Sequence, residues 1–260
     1  MIGAFRTPAD PRWYRASLWA VVVSAWVVLA LWGASPFAGL LSHRSIGTGP
    51  FPPAVGAIIF VGGWSLMTIA MMLPSSLPLV NLFRTIVAER ADAGRLVLRL
   101  IIGYLGVWAF FGIVAYRGDA FVHRALEAFP DFATQASWIG AAILLAAGVY
   151  QFTPLKQMCL EKCRSPYSFL VEHWRGRRAG WDALRLGIRH GLFCVGCCWT
   201  LMLLMFAVGG ANLGWMLALS AVMAAERTTR WGRYLTRPLG GALTALAVLL
   251  LAGIVAFPGS

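Results

Sequence analysis

Long apolar segments alternate with short arginine-rich segments along the chain, and this alternation predicts membrane-spanning helices. Seven apolar stretches can be bounded, at about residues 17–41, 54–83, 96–117, 137–152, 191–208, 212–226 and 239–257. Each is close to, or slightly shorter than, the roughly 17–25 residues that a helix needs to cross a bilayer. The run from Gly191 to Ala225 is too long for one crossing, and Gly209, Gly210 and Asn212 in its middle favour a turn. The pattern therefore predicts an all-α, polytopic transmembrane bundle of about seven spans, in which this run forms a helical hairpin.

Composition agrees with the membrane class. Hydrophobic residues make up 59% of the 260-residue chain, and charged residues make up only 12%. Such a balance is typical of integral membrane proteins. No segment between the apolar stretches is long enough for a soluble domain, so residues 1–260 are predicted to form a single integral membrane domain. The longest polar connection is a loop of about residues 153–190, which carries Cys159 and Cys163.

Basic residues set the predicted orientation. Of the 22 lysine and arginine residues, all but Arg44, Arg117 and Arg124 fall on one side of the seven-span arrangement. Because basic residues accumulate on the cytoplasmic side, the N-terminus and the 153–190 loop are predicted to be cytoplasmic. The first apolar region is longer than the roughly 7–15 residues of a signal-peptide core, so an uncleaved first helix is expected.

The formal net charge of +12 raises the question of a nucleic-acid partner. The arginines punctuate apolar spans and do not form one compact basic domain with interleaved aromatic residues, which a nucleic-acid-binding protein would need. Membrane topology and attraction to anionic lipids explain the charge. We therefore expect membrane lipids as partners and no nucleic acid.

All five cysteines fall within 40 residues. Cys159 and Cys163 lie in the polar loop, and Cys194, Cys197 and Cys198 follow in the fifth apolar stretch. Residues three and four apart share one face of a helix, so each group presents its thiols together. A short helix opened by a threonine N-cap at position 153 would carry the first pair. Thiolates are soft ligands that suit Cu(I) and Zn(II), and we predict that these five residues bind such an ion.

Methionines and prolines mark the second apolar stretch. Met67 and Met71 lie one helical turn apart, and their thioethers are candidate additional ligands for Cu(I). Methionine at this spacing is also typical of ordinary packing. Pro74 and Pro78 free backbone carbonyls at the end of the stretch, which predicts a kinked helix there.

Two ionisable residues near the cysteines are further candidate ligands. His190 lies one turn before Cys194, although it could instead bond a lipid headgroup or a carbonyl at a helix end. Glu226 is the acidic residue at the end of the sixth stretch, where a carboxylate is costly unless it is paired or ligating. Pairing with Arg227 or Arg230 is the alternative to a metal role for Glu226.

Three segments of the chain resemble a bacterial family of predicted metal-binding integral membrane proteins, a domain family of unknown function. They are residues 70–75 (AMMLPS), residues 150–166 with the cysteines at 159 and 163, and residues 187–202 (GIRHGLFCVGCCWTLM). Glu226 ends the sixth stretch as the acidic position of that family does, and the similarity covers about residues 54–230. The resemblance implies a metal-binding protein of the bacterial inner membrane.

Handling of copper or zinc is the function that these features favour, with Cu(I) or Zn(II) captured from the cytoplasm. No nucleotide-binding loop, heme-attachment motif or hydrolase triad appears, so enzymatic activity is not favoured. Two alternatives stay open. Cys194 and Cys197 have the spacing of a thiol-disulfide oxidoreductase. The chain could also be a non-catalytic membrane subunit, with a protein partner or a second copy of itself, whose cysteines act as small buried hydrophobic residues.

Overall fold

The computed structural model describes residues 11–35, 38, 52–128, 136–209 and 212–254, and within these residues the chain is helical and contains no strand. Ten α-helices follow one another in this part of the chain. They are α1 (Pro11–Gly33), α2 (Pro53–Met71), α3 (Leu73–Ile86), α4 (Ala93–Ala128), α5 (Ala136–Tyr150), α6 (Pro154–Arg164), α7 (Pro166–His173), α8 (Ala179–Gly209), α9 (Leu213–Thr228) and α10 (Gly232–Leu251). The predicted all-α fold is confirmed.

Five of these helices are long and apolar enough to cross a membrane. Their apolar portions are Trp13–Gly33, Ala54–Met71, Ala93–Val122, Ala179–Met205 and Gly232–Leu251. Many large apolar side chains on them point outward, for example Leu31 and Phe110, which are each 67% exposed. Such a surface fits contact with lipid. Helices α5 and α9 have only 15 and 16 residues, so the count of seven spans and the orientation stay predictions.

The second apolar stretch is divided into two helices instead of forming one kinked helix. Helix α2 ends at Met71, and α3 begins at Leu73 after the single residue Met72. Pro74 stands in the first turn of α3, where its missing N–H is not needed. Pro74 therefore coincides with a change of helix and not only a bend, whereas Pro78 lies inside α3.

Side chains satisfy the carbonyls at this break. Pro74 has no N–H to offer the carbonyl of Ala70, and the indole Nε1 of Trp26 donates to that oxygen at 3.1 Å. The hydroxyls of Ser75 and Ser76 donate to the carbonyl of Met72 at 2.9 and 3.3 Å. Freed carbonyls inside an apolar bundle are tolerated when neighbours supply such donors. The helix α1 is thereby held against the break.

The segment predicted as a loop, residues 153–190, is largely helical. As predicted, the Thr153 side chain caps α6, where it accepts the N–H of Lys156 at 3.3 Å, and the helix ends at Arg164. Helix α8 starts at Ala179, twelve residues before the apolar stretch begins. Its first turns are amphipathic, with Ala183 and Leu186 fully buried. A search for uninterrupted apolar runs misses such turns, because polar residues alternate with the buried ones.

Glycines allow α4 and α8 to pack closely. A Cβ at Gly103 would collide with the carbonyl of Leu184, and a Cβ at Gly187 would collide with the carbonyl of Leu100. Small residues at a helix crossing let the backbones approach each other, which is the usual way in which apolar helices associate in a membrane. The crossing fixes α8, which carries three of the cysteines.

Helix α8 and helix α9 form the predicted hairpin. The side chain of Asn212 caps α9 by accepting the N–H of Trp215 at 3.2 Å. Helix α8 ends at Gly209, and Gly210 lies outside the described residues. The two helices pack against each other, and α9 also packs against α2.

Buried residues form two separate cores. The sulfur-rich core contains four of the five cysteines and seven of the nine methionines. Its sulfur-bearing members are Cys159, Cys194, Cys197, Cys198, Met67, Met71, Met72, Met202, Met205, Met216 and Met223. The sulfur-free core lies among α3, α4, α7 and the start of α8. It consists of Leu79, Val80, Phe83, Val87, Leu96, Val97, Leu100, Phe169, Leu170, Ala183 and Leu186.

Candidate metal site

The thiols of α6 and α8 meet in the sulfur-rich core. The Sγ of Cys163 lies 3.9 Å from the Sγ of Cys197, which in turn lies 3.3 Å from the Sγ of Cys198. Thiolates that share one tetrahedral metal at about 2.3 Å lie about 3.8 Å apart. The Cys163–Cys197 and Cys197–Cys198 separations are therefore each close to the distance between two ligands of one ion. The two sequence motifs, more than thirty residues apart, are thus brought together by the packing of α6 against α8.

Cys159 reaches the same region because the residue beneath it is a glycine. A Cβ at Gly196 would lie 2.6 Å from the Sγ of Cys159, which is too close for any side chain. The hydroxyl of Tyr150 donates to the carbonyl of Gly196 on the same stretch of α8. The Gly in the Cys-Val-Gly-Cys motif thus makes room for the neighbouring helix α6.

The cysteines are all free thiols and are not preassembled as a ligand shell. Among the described residues, no three His, Cys, Asp or Glu side chains form a group arranged to hold a metal ion. Contact with the sulfur of Cys197, together with burial, raises the pKa of the Cys163 thiol well above its ordinary value. Burial likewise raises the pKa of Cys159. A metal that binds these two residues must therefore displace their protons.

Cys194 faces polar donors. The indole Nε1 of Trp108 donates to its Sγ at 3.2 Å, and the hydroxyl of Tyr104 is 3.1 Å away. The Nη2 of Arg227 donates to the same sulfur at 2.5 Å and to the Sγ of Cys197 at 3.2 Å. The Nη1 of Arg227 donates to the hydroxyl of Ser75 at 2.6 Å. A buried guanidinium therefore connects α9, α3 and the cysteines of α8.

Glu226 has a partner other than either predicted arginine. Its Oε2 lies 2.7 Å from the Nζ of Lys156, and both side chains are fully buried. Arg227 instead turns to the sulfurs, because adjacent residues on a helix point about 100° apart. The pairing with Lys156 engages Oε2 and holds α6 against α9, whereas Oε1 is buried without a hydrogen-bond partner among the described residues. Arg164 strengthens the same contact by donating to the carbonyls of Glu226 and Thr229, the latter at 2.7 Å.

The remaining candidate ligands are His190, Met67 and Met71, and all three are buried near the thiols. The Nε2 of His190 is 3.2 Å from the hydroxyl of Ser76, and its ring stacks on Tyr104 with centroids 5.4 Å apart. Its Nδ1 is buried without a hydrogen-bond partner among the described residues. Met67 and Met71 are buried in the sulfur-rich core.

Several residues around the thiols are missing from the sequence-based candidates. Tyr104 and Trp108 are aromatic residues in an aromatic-rich span, so the sequence gives no sign that they face a cysteine. The sequence pattern indicates Arg227 only as a counter-ion for Glu226. Lys156 could have been found from the sequence, because it lies one turn before Cys159 on the face of α6 that carries Cys159 and Cys163.

Thiols gathered from two helices are typical of proteins that handle soft metal ions. Comparison with known families points to the same class of protein. Residues 61–250 match the family model described as PpoB2, copper chaperone. The match covers well over half of the chain, and the protein belongs to this family. No curated protein and no solved structure matches the chain.

Proposed function

We propose that this protein is a multi-pass membrane copper chaperone that captures Cu(I) through the thiols of Cys163, Cys197 and Cys198. The observation that carries the proposal is the approach of Cys163, on α6, to within 3.9 Å of Cys197, on α8. The family description supports copper as the ion. Thiolates are also the ligands that soft Cu(I) prefers. Cys159 and Cys194 lie beside these three and complete the proposed group.

Arg227 has a definite role in this proposal. A Cu(I) ion bound by three thiolates carries a net charge of −2, and burying that charge without a counter-ion would be costly. The guanidinium already contacts the sulfurs of Cys194 and Cys197. It therefore offsets the charge of the loaded site, and it occupies part of the space around the sulfurs before copper arrives.

The proposed location is the bacterial inner membrane, with seven spans and with the thiols at the cytoplasmic face. The distribution of basic residues supports this orientation. Copper would then be taken from the reducing side of the membrane, where Cu(I) and free thiols persist. A chaperone also requires a protein that supplies or receives the ion, which is the partner we propose in addition to lipid.

The test is the copper content of the purified protein. The chain is purified in detergent under reducing conditions, loaded with Cu(I) and measured by elemental mass spectrometry and by competition with a chromogenic Cu(I) chelator. We expect about one tightly held copper per chain in wild type and none in Cys197→Ser/Cys198→Ser. Met158→Leu is the matched control, because Met158 is a half-exposed sulfur residue next to Cys159 on α6.

Two results would contradict the proposal. A double cysteine variant with full copper content would place the ion elsewhere. A metal-free wild type that forms a Cys194–Cys197 disulfide with oxidant would favour the oxidoreductase alternative. A zinc content that exceeds copper after loading with both ions would change the identity of the cargo but leave the ligands in place.

A further inference from the structure

Methionine is concentrated in one of the two cores. Seven of the nine methionines lie in the sulfur-rich core, and each of the seven is at most 2% exposed. The sulfur-free core is equally buried, and its described members and the residues packed against it include no methionine. Methionine that merely filled gaps between helices would be expected in both cores. The distribution calls for a reason that is specific to the neighbourhood of the thiols.

The hairpin aligns these sulfurs in levels. The guanidinium of Arg227 on α9 contacts the sulfurs of both Cys194 and Cys197 on α8, which fixes the register of these antiparallel helices to within about one turn. Both helices rise about 1.5 Å per residue, so each step forward on α8 matches one step backward on α9. Met223 then lies within about one turn of Cys198 along the hairpin, and Met216 lies within about one turn of Met205.

The sulfurs of α8 also share one face. Cys194, Cys198, Met202 and Met205 follow one another at intervals of three or four residues, and all four are fully buried. From Cys198 to Met205 the rise along the helix is about 10 Å. The stripe therefore begins at the thiols and continues into the apolar part of the hairpin.

We propose that Met202, Met205 and Met216 form a second Cu(I) site, about 10 Å deeper in the hairpin than the thiols. Met223 lies near the level of Cys198, beside the thiols. Thioethers are neutral soft ligands, so they bind a soft monovalent cation without giving up a proton and hold it less tightly than thiolates. A weaker site next to a stronger one is suited to passing an ion onward. This inference rests on the proposed function, because it takes the thiols as the first site.

The test compares four proteins for binding of Ag(I), a redox-inert soft monovalent cation. They are wild type, Cys197→Ser/Cys198→Ser, Met202→Leu/Met205→Leu/Met216→Leu and Met72→Leu. Leucine nearly conserves the volume of methionine, so the core stays filled. Met72 is the matched control because it is fully buried in the same core but lies outside the hairpin.

We expect two equivalents of Ag(I) in wild type and in Met72→Leu. The triple methionine variant should keep one tight equivalent, and the cysteine variant should keep one weaker equivalent. That weaker equivalent should persist in acid, where protons displace the ion from thiols but not from thioethers. Two equivalents in the triple variant, or a single equivalent in wild type that disappears with the cysteines, would overturn the second site.

A spectroscopic measurement keeps the proposal testable if the triple variant does not fold. Wild type labelled with selenomethionine is loaded stepwise with Cu(I), and absorption is recorded at the copper edge. We expect sulfur neighbours alone for the first equivalent and selenium neighbours with the second. Absence of selenium at both steps would refute the second site. Failure of the proposed function would look different, because the cysteine variant would then bind as much metal as wild type.

Discussion

The two cores of this protein are equally buried but differ in the chemistry of their side chains. The sulfur-free core consists of aliphatic and aromatic side chains, such as Phe83, whose ring packs edge-on against Trp174 with centroids 4.8 Å apart. The sulfur-rich core contains thiols, thioethers, a guanidinium and a buried ion pair. Buried polar and ionic groups often add less stability than apolar groups of equal volume. The comparison teaches that the bundle keeps its buried sulfur and ionic groups apart from a purely apolar core, which is the separation that the proposed copper site would need.

The most direct way to break this comparison is to damage the sulfur-free core alone. Phe83→Ala removes a fully buried ring, and we expect it to lower the free energy of unfolding by about 3–5 kcal/mol. Copper stoichiometry should be unchanged under conditions in which the variant is folded. Unfolding in detergent and elemental analysis of the same sample check both parts. A variant that loses its copper while it remains folded would show that the cores are not separable.

Breaking the buried ion pair between Lys156 and Glu226 tests the sulfur-rich core in the same way. Lys156→Met leaves the Glu226 carboxylate buried without its partner, and we expect a loss of about 3–5 kcal/mol together with weaker copper binding. Adding Glu226→Leu removes the orphaned charge and should restore stability. If Glu226 only positions α6, the double variant also regains copper binding. A stable double variant without copper would instead make Glu226 a ligand.

The smallest expected effect concerns the glycine beneath Cys159. Gly196→Ala forces the Sγ of Cys159 to move, and we expect copper affinity to fall about tenfold, or about 1.4 kcal/mol. The matched control is Gly106→Ala, because a Cβ at Gly106 meets nothing within 4 Å. Chelator competition measures both variants. Equal affinities would show that the position of Cys159 does not matter for copper.

Local patterns predicted most of the helices and the shared face of each group of thiols, but not the partners of those thiols. Apolar runs located the five helices that are long and apolar enough to cross a membrane, and the N-cap signal of Thr153 located α6. The spacing of Cys194, Cys197 and Cys198 placed them on one face. The pairing of Glu226 with Lys156 was missed, because it depends on where a helix seventy residues away is docked. Spacing along one helix carries no information about such a contact.

The start of α8 shows a second limit. An apolar run detects only the part of a helix that is apolar on all sides. The first three turns of α8 bury Ala183 and Leu186 while Arg185 stays exposed, so they resemble a polar loop when hydropathy is averaged. Reading the 3.6-residue period instead of the mean would have extended the helix.

The adjacent residues Glu226 and Arg227 prevent α9 from rotating about its axis, because they are bonded to two different helices. One of them is bonded to Lys156 on α6, and the other is bonded to the sulfurs of α8. A helix turns about its axis as a unit, so the guanidinium cannot swing away with α9 unless the carboxylate also leaves its lysine. Rotation of α9, which contributes no thiol, would therefore disturb both α6 and α8, the two helices that contribute the thiols.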